Sequence, residues 1–564
     1  MIEHINIKQI FIKRFNIFLY MKLNKNYLQT LIFILVYLFA LYFWSQPYQE
    51  RKLPYGEYDA MSHFEIADYM AYNDRSFVKL PQYIDVRYGL DNKFKPHTLW
   101  YPPTFHSSLA VMQVLGGERI VAVYLMNTIM ASFIIITIYF VINSLFGFLP
   151  AILSSLLLIF SPRDFMPFLW GQWPERFAYA FIPIILYCFY KYFISYSKQE
   201  SKPVYIYFTG LFLGINILVH PLVFFHSVIG LAALYILLAI KQKKLVFNWK
   251  HLAISAIIFL ILFMLFPIQT FNIFPQLGSK NTDTQDTKKP VELSRLLHWS
   301  LNPKDYAGSV PEFYFSFSKM HGLWTLPFLL IGILFLLWRR EERDIFLLAW
   351  LISLYLILHR DLIGKATFLH RSLSATAHIF VPLTAIGAVY LGSILKLPSN
   401  LRKYFKYLMA AVFVYFAFSV NMQYAGQFLN KDTYNPNNEN GFFVSLNEEE
   451  FKAAEWVLEN VPYTYNISVL GIPHQDRFVS LTARKIRWLN AVSQHVNRFY
   501  YLIEDEKEKE SHLKNNYIML DYTMLGPLND KETFANMQLL EKTSLANHTL
   551  VYNQGNIKVY KLEK

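Results

Sequence analysis

Apolar runs long enough to cross a bilayer recur eleven times along this chain, and that recurrence constrains the fold more than any motif. A helix rises about 1.5 Å per residue, so a hydrocarbon core of about 30 Å takes roughly 17 to 25 apolar residues. The runs are 27–44, 119–141, 148–160, 177–194, 204–220, 222–240, 252–271, 323–338, 345–358, 375–395 and 404–422, of which 148–160 and 345–358 are short. Composition agrees with them. Of the 564 residues, 54% are hydrophobic and 16% charged, whereas an ordinary globular domain carries about 25% charged residues. Backbone amides in lipid must be bonded within their own segment, so the expected fold is a polytopic α-helical membrane protein with about 11 transmembrane helices.

The positions of the cations give the orientation. The formal charge of +13 falls largely in short segments between alternate runs, namely KYFISYSKQESK, KQKKLVFNWK, RREERD and KLPSNLRKYFK. Short basic loops stay in the cytoplasm. This places the amino terminus inside and, with an odd number of spans, the carboxyl terminus on the extracytoplasmic side of a multi-pass plasma-membrane protein. The longer segments 45–118, 161–176, 272–321 and 359–374 then face outward. The positive charge is thus used by topology rather than by nucleic acid, which is not an expected partner; the lipid bilayer is. Run 27–44 follows Lys8, Lys13, Arg14, Lys22 and Lys25 and lacks a small-residue cleavage site, so it reads as a retained span. Met21 opens MKLNKNYLQ, a more usual start, and residues 1–20 read as an extension. Cys188 is the single cysteine, which rules out a disulfide within the chain.

Three domains follow. Residues 1–26 form a cytoplasmic segment, 27–422 the transmembrane part with its first outer loop at 45–118, and 423–564 an extracytoplasmic α/β domain. In the last of these NEEEFKAAEWVLENVP has the pattern of a capped amphipathic helix, with Phe451, Ala454 and Leu458 at helical spacing. Apolar runs at 467–472, 517–522, 549–553 and 557–562 predict strands, the last two joined through Gln554-Gly555-Asn556 as a hairpin.

No Walker loop, GxGxxG, CxxC or HExxH pattern occurs, which argues against an ATP-driven pump and a zinc protease. The spans read as mainly apolar with few ionisable residues, which argues against an ion-coupled transporter. Polar chemistry gathers in the outer loops instead. In the first, EYDAMSHFEIADYM predicts a helix with Asp59 and His63 four apart on one face, and Glu57 stands just before it. A carboxylate beside an imidazole there serves as a base, a metal ligand or a cap, and Asp59 has Arg51 as a rival partner. The loop closes with WYPPTFH, in which Tyr101-Pro102-Pro103 shapes the return to the membrane and His106 follows. The second outer loop, SPRDFMPFLWGQWPERFAY, supplies Arg163, Asp164, Glu175 and Arg176. Between the ninth and tenth runs stand Arg360, Lys365, His370 and Arg371. Trp170, Trp173, Trp299 and Trp324 read as interface anchors, and His220 and His226 as packed interfacial histidines.

An amino-terminal span, a long first outer loop with the acids and histidine of GEYDAMSH, the YPP of WYPPTFH, many further spans and an outer soluble domain together resemble the GT-C superfamily of integral-membrane glycosyltransferases, mannosyltransferase-like. The resemblance implies a polyprenyl-phosphate-linked sugar donor, hexosyl transfer to a protein, lipid or glycan acceptor, and an essential first-loop aspartate. Asp59 matches it, with Glu57 as the alternative because the pattern is E-Y-D. Nothing matches the WWDYG motif of the oligosaccharyltransferase branch, which favours transfer of a single sugar over transfer of a whole glycan. The chemistry asks for the same groups. A departing phosphate needs cations, and an acceptor hydroxyl needs a base. His63, Tyr101, His106, Arg163, Glu175, Arg176, His370 and Arg371 are the expected substrate-binding residues. No cofactor is certain, and a divalent metal stays open. Rival readings are a lipid or polysaccharide flippase or transporter and a non-catalytic subunit of a glycan assembly complex.

Overall fold

The computed structural model describes residues 25–51, 58–68, 70–71, 102–267, 312–360, 369–429, 448–462, 465–470, 485–486, 513–514, 516–522 and 531–563. Its elements run α1 (Lys25–Arg51), α2 (Tyr58–Asp68), α3 (Thr104–Gly116), α4 (Ile120–Phe146), α5 (Phe148–Ile159), α6 (Pro162–Leu169), α7 (Trp173–Tyr179), α8 (Phe181–Ser197), α9 (Val204–Val219), α10 (Pro221–Gln242) and α11 (Trp249–Phe263). After a 3₁₀ turn at Glu312–Phe315 come α12 (Phe317–His321), α13 (Thr325–Arg339), α14 (Glu342–Leu358), α15 (Leu369–Ser372), α16 (Ala375–Ile394), α17 (Ser399–Phe416), a π turn at Ala417–Met422 and α18 (Gln423–Leu429). The eleven apolar runs fall mainly on helices, run 252–271 as far as Phe263. By length and composition six segments are able to cross a membrane: Asn26–Gln49, Ile120–Phe146, Trp173–Ser197, Pro221–Gln242, Ala375–Ile394 and Ser399–Gln427. The pair α5 and α6, bent by 44°, makes a seventh, and α9, α11 and α13 are shorter apolar helices.

Contacts sort the helix termini into two ends. At one, Gln242 donates to Glu342 at 2.5 Å, Arg343 donates to the Leu145 carbonyl at 3.1 Å, and Tyr390 donates to the Phe146 carbonyl at 3.1 Å. The basic segments of the sequence lie at this end. At the other, Trp44 donates to the Ile159 carbonyl at 3.1 Å and Trp324 to Asn421 at 2.7 Å. The π turn exists in service of that second bond: widening the helix by a residue aims Asn421 inward, where its amide also donates to the His321 carbonyl at 3.1 Å. Between the ends, α13 and α16 approach so closely at Gly332 and Gly387 that a side chain on either would strike the backbone of the other helix. This is how membrane helices gain contact area without a hydrophobic drive from water.

Two expectations are corrected here. Segment 161–176, read as an outer loop, is mostly helix: α6 continues α5 at an angle and α7 leads into α8, with prolines at the first turns of α6 and α7. Trp170 and Trp173, read as interface anchors, are buried core residues, 3% and 0% exposed. The Trp173 indole donates to the Phe168 carbonyl at 3.0 Å, so its polar edge needs no water. Trp299 lies outside the described residues.

The carboxyl-terminal part contributes α19 (Glu448–Asn460), β1 (Asn466–Leu470), β2 (Lys485–Ile486), β3 (Tyr517–Asp521), α20 (Lys531–Lys542), β4 (Thr549–Gln554) and β5 (Ile557–Lys561). The sheet order is β2-β1-β3-β5-β4, with β1 parallel to β2 and β3, and β5 antiparallel to β3 and β4. All five β3 side chains are buried because both faces are covered. Ile518 and Leu520 pack with Met537 and Leu540 of α20, whereas Tyr517 and Met519 face the cluster that holds Ala453 and Val457 of α19. The helix 448–460 and four strands follow the sequence pattern; β2 and α20 do not appear in it.

Candidate functional site

The first-loop helix is seated by three contacts. Gly171 has φ +90°, and a Cβ there would lie 2.7 Å from the Cβ of Ala60, so α2 rests directly on the turn between α6 and α7. One turn along, His63 Nδ1 and His106 Nε2 are 2.9 Å apart, both rings buried beside Phe105 and Trp173. At the helix end Asp68 takes a two-pronged bond from Arg119, Nε and Nη2 each at 2.8 Å. Gln113 donates to the same carboxylate at 3.3 Å. Asp68 is therefore a clamp between α2 and the start of α4, with both its oxygens engaged.

Beneath that turn lies a charged knot. Asp164 on α6 forms an ion pair with Arg176 on α7, and neither side chain has any exposed surface. His378 Nε2 of α16 donates to Asp164 at 2.5 Å, and Arg176 stacks 5.7 Å from the Trp44 ring. Arg163, on the next position of α6, donates to the Tyr314 carbonyl and sits 4.5 Å over the Tyr314 ring. Burial pushes the Tyr314 hydroxyl up to about 12 and the His321 imidazole well below its ordinary value.

Glu175 points away from the knot into a second network. Tyr179 donates to Glu175 Oε1 at 3.2 Å, and His226 Nδ1 stands 3.3 Å from the same hydroxyl. His226 Nε2 is 3.3 Å from Arg360 Nη1 and 3.4 Å from Ser372 Oγ. One assignment satisfies all four: Arg360 and Ser372 donate to Nε2, so the imidazole is neutral with its proton on Nδ1, which donates to Tyr179, which donates to Glu175. The charges of Arg371, Arg360 and Arg176 all act on the Glu175 carboxylate. Glu175 is 2% exposed, and Oε2 has no partner among the described residues.

Of the residues expected from sequence, Glu175, Arg176 and Arg371 come together, with Arg163 on the neighbouring helix. His63 and His106 pair with each other one turn from Asp59. Asp59 is on α2, one residue before Ala60, and His370 is on α15; the side chains of both, together with Glu57 and Tyr101, lie outside the described residues. Tyr179, Ser372 and His378 were not singled out by sequence, and His226 belongs to a polar network rather than to an interfacial surface. Ionisable groups inside apolar helices would have marked three of them. The spans are accordingly less purely apolar than their sequences suggest: Glu175, Arg176, His226 and His378 are all buried within them. Among the described residues no three His, Cys, Asp or Glu side chains gather as a metal ion requires.

The architecture is shared with solved membrane proteins. The crystal structure of the Archaeoglobus fulgidus oligosaccharyltransferase in the apo form matches with a TM-score of 0.58 at 14% identity, over 88% of this chain and 70% of that one. The archaeal oligosaccharyltransferase AglB from Archaeoglobus fulgidus, in complex with an inhibitory peptide and a dolichol-phosphate, matches at 0.56 and 13% identity, over 96% and 75%. ArnT from Cupriavidus metallidurans bound to undecaprenyl phosphate matches at 0.53 and 11% identity, over 94% and 98%. At such identities the likeness is one of fold, and the fold is that of the GT-C superfamily named from the sequence. No curated protein matches the chain. A family model described as a family of unknown function, DUF6541, matches residues 27–475, and this GT-C-fold chain belongs to that family.

Proposed function

We propose that this protein is a membrane glycosyltransferase that moves one sugar from a polyprenyl-phosphate-linked donor to a protein, lipid or glycan acceptor at the extracytoplasmic surface. In this reading eleven helices span the plasma membrane, the basic end faces the cytoplasm, and the carboxyl-terminal α/β domain lies outside over the acceptor. The observation that carries it is the gathering of Glu175, Arg360 and Arg371 at one end of the bundle, beside the turn on which the Asp59 helix rests. A lipid-anchored donor has to be met at such a boundary. In the reaction the acceptor oxygen bonds to the anomeric carbon as the bond from that carbon to the phosphate oxygen breaks, and the electron pair leaves with the phosphate. Arg371 is suited to hold that phosphate, since a guanidinium stays charged and bonds two oxygens at once. The acceptor proton passes to Asp59. No step is routed through a metal.

The test is transfer by the full-length protein in liposomes containing undecaprenyl-phosphate-linked sugars, followed by mass spectrometry of the glycans missing from a deletion strain. Asp59→Asn is expected to lower turnover roughly 100- to 10,000-fold, as loss of a general base does. Wild-type turnover in that variant would remove Asp59 from the chemistry, and absence of transfer from every such donor by the wild type would overturn the reading.

A further inference from the structure

We infer that Glu175 is the group that reads the donor sugar, accepting a hydrogen bond from one of its hydroxyls, and that Tyr179 and His226 are the positioning residues that aim it. This rests on the glycosyl-transfer reading and adds to it the residues that recognise the sugar. A carboxylate buried to 2% exposure with one oxygen unpartnered is costly unless something supplies the missing donor. Its other oxygen is engaged by Tyr179, whose hydroxyl is in turn fixed by His226, and His226 is held from behind by Arg360 and Ser372. The chain of bonds ends on Oε1 and leaves Oε2 as the one acceptor still open on that carboxylate. Arg360 and Arg371 act on the same group, so a ligand meeting Glu175 also meets two guanidinium charges. A phosphodiester attached to a hydroxylated ring presents both features, anion and hydrogen-bond donor, a few atoms apart.

The experiment measures binding to full-length protein in nanodiscs of two kinds of probe: undecaprenyl phosphate alone, and undecaprenyl phosphate carrying glucose, galactose or mannose. Glu175→Gln keeps the shape and an acceptor for Tyr179 but turns the open oxygen into an amide donor. Expected is a roughly 10- to 100-fold loss of affinity for a sugar-bearing probe that the wild type binds, the usual scale for a bond to a charged group. Affinity for the bare lipid phosphate should be unchanged, since that probe has no sugar hydroxyl to meet Glu175. Equal weakening of both probes would mean a structural role, and unchanged affinity for both would mean that Glu175 does not touch the donor; either overturns the inference while leaving glycosyl transfer standing. Tyr179→Phe and His226→Gln should weaken the sugar-bearing probe alone, by less. They decide the matter if Glu175→Gln does not fold. A wild type that binds no lipid phosphate, with or without sugar, would overturn the underlying function as well.

Discussion

Replacing Asp164 by alanine would strand a cation. Arg176 has no exposed surface, and Asp164 is the acid that pairs with it. Its Nε and Nη2 atoms have no hydrogen-bond partner among the described residues, and what remains is His378 Nε2 at 3.2 Å from Nη1, the more distant Glu175 carboxyl and a weak cation–π contact with the Trp44 ring at 5.7 Å. Breaking a buried ion pair by removing one member costs about 3–5 kcal/mol, because the other charge stays behind without compensation. At about 1.4 kcal/mol per tenfold, that is between two and four orders of magnitude in the folding equilibrium. His378 also loses its acceptor, although the two losses belong to one network and do not add. The assay is unfolding of the purified protein in mixed micelles of increasing denaturing detergent, followed by tryptophan fluorescence, to which Trp44 and Trp173 report from the region affected. The companion variant replaces Asp164 by Leu and Arg176 by Met together, and should recover most of the lost stability, since apolar residues of similar size remove the charge along with its partner. A cost below 1 kcal/mol for Asp164→Ala, or no recovery in the double variant, would refute the argument that the pair is dry.

Arg371→Lys should weaken binding of the lipid-phosphate donor while leaving membrane insertion unchanged, because lysine keeps the charge and loses the fork; unaltered donor affinity would hand Arg371 to the lipid headgroups instead. In the carboxyl-terminal part Glu541 of α20 accepts from Lys558 at 2.5 Å and Tyr560 at 2.6 Å of β5 and from Tyr522 at 3.1 Å. Burial pushes its carboxyl up, but those bonds outweigh burial and hold it below the usual glutamate range. A depressed value means that its stabilisation is present at neutral pH and is lost as pH falls from about 4.3 through the folded-state value. The protection of amides in Ile557–Lys561 against hydrogen exchange, taken relative to unstructured peptide at the same pH, should therefore fall through this range in the wild type and show no such step in Glu541→Gln.

The bundle is legible because a span announces itself by local composition, and the apolar runs lie mainly on helices. Segment 161–176 is misread for the complementary reason. Its prolines, glycine and four charges look like a surface loop, and only the pairing of Asp164 with Arg176, together with His378 from a helix two hundred residues away, lets such a stretch sit inside. Local sequence carries no sign of that neutralisation. The same holds for Asp68, whose partner Arg119 is fifty-one positions on. Glu175 and Arg371 are visible as charges beside spans and His226 as an imidazole within one, whereas their connection through Tyr179 appears only once the fold joins them. In the carboxyl-terminal part, Phe534, Met537 and Leu540 do carry a helical spacing, and α20 is detectable in hindsight. The strand β2 is not, since two residues make a strand only by pairing with β1.

The seat of the first-loop helix on Gly171 has a mechanical meaning. Ala60 and Gly171 meet as two surfaces with no side chain between them, so the spacing between the helix that carries Asp59 and the segment that carries Glu175 is fixed by hard contact. A stop of this kind does not soften with salt or shift with pH, as a spacing held by charges would. The two segments are thus gauged by the thickness of one backbone, and the tolerance of that gauge is a single methyl group.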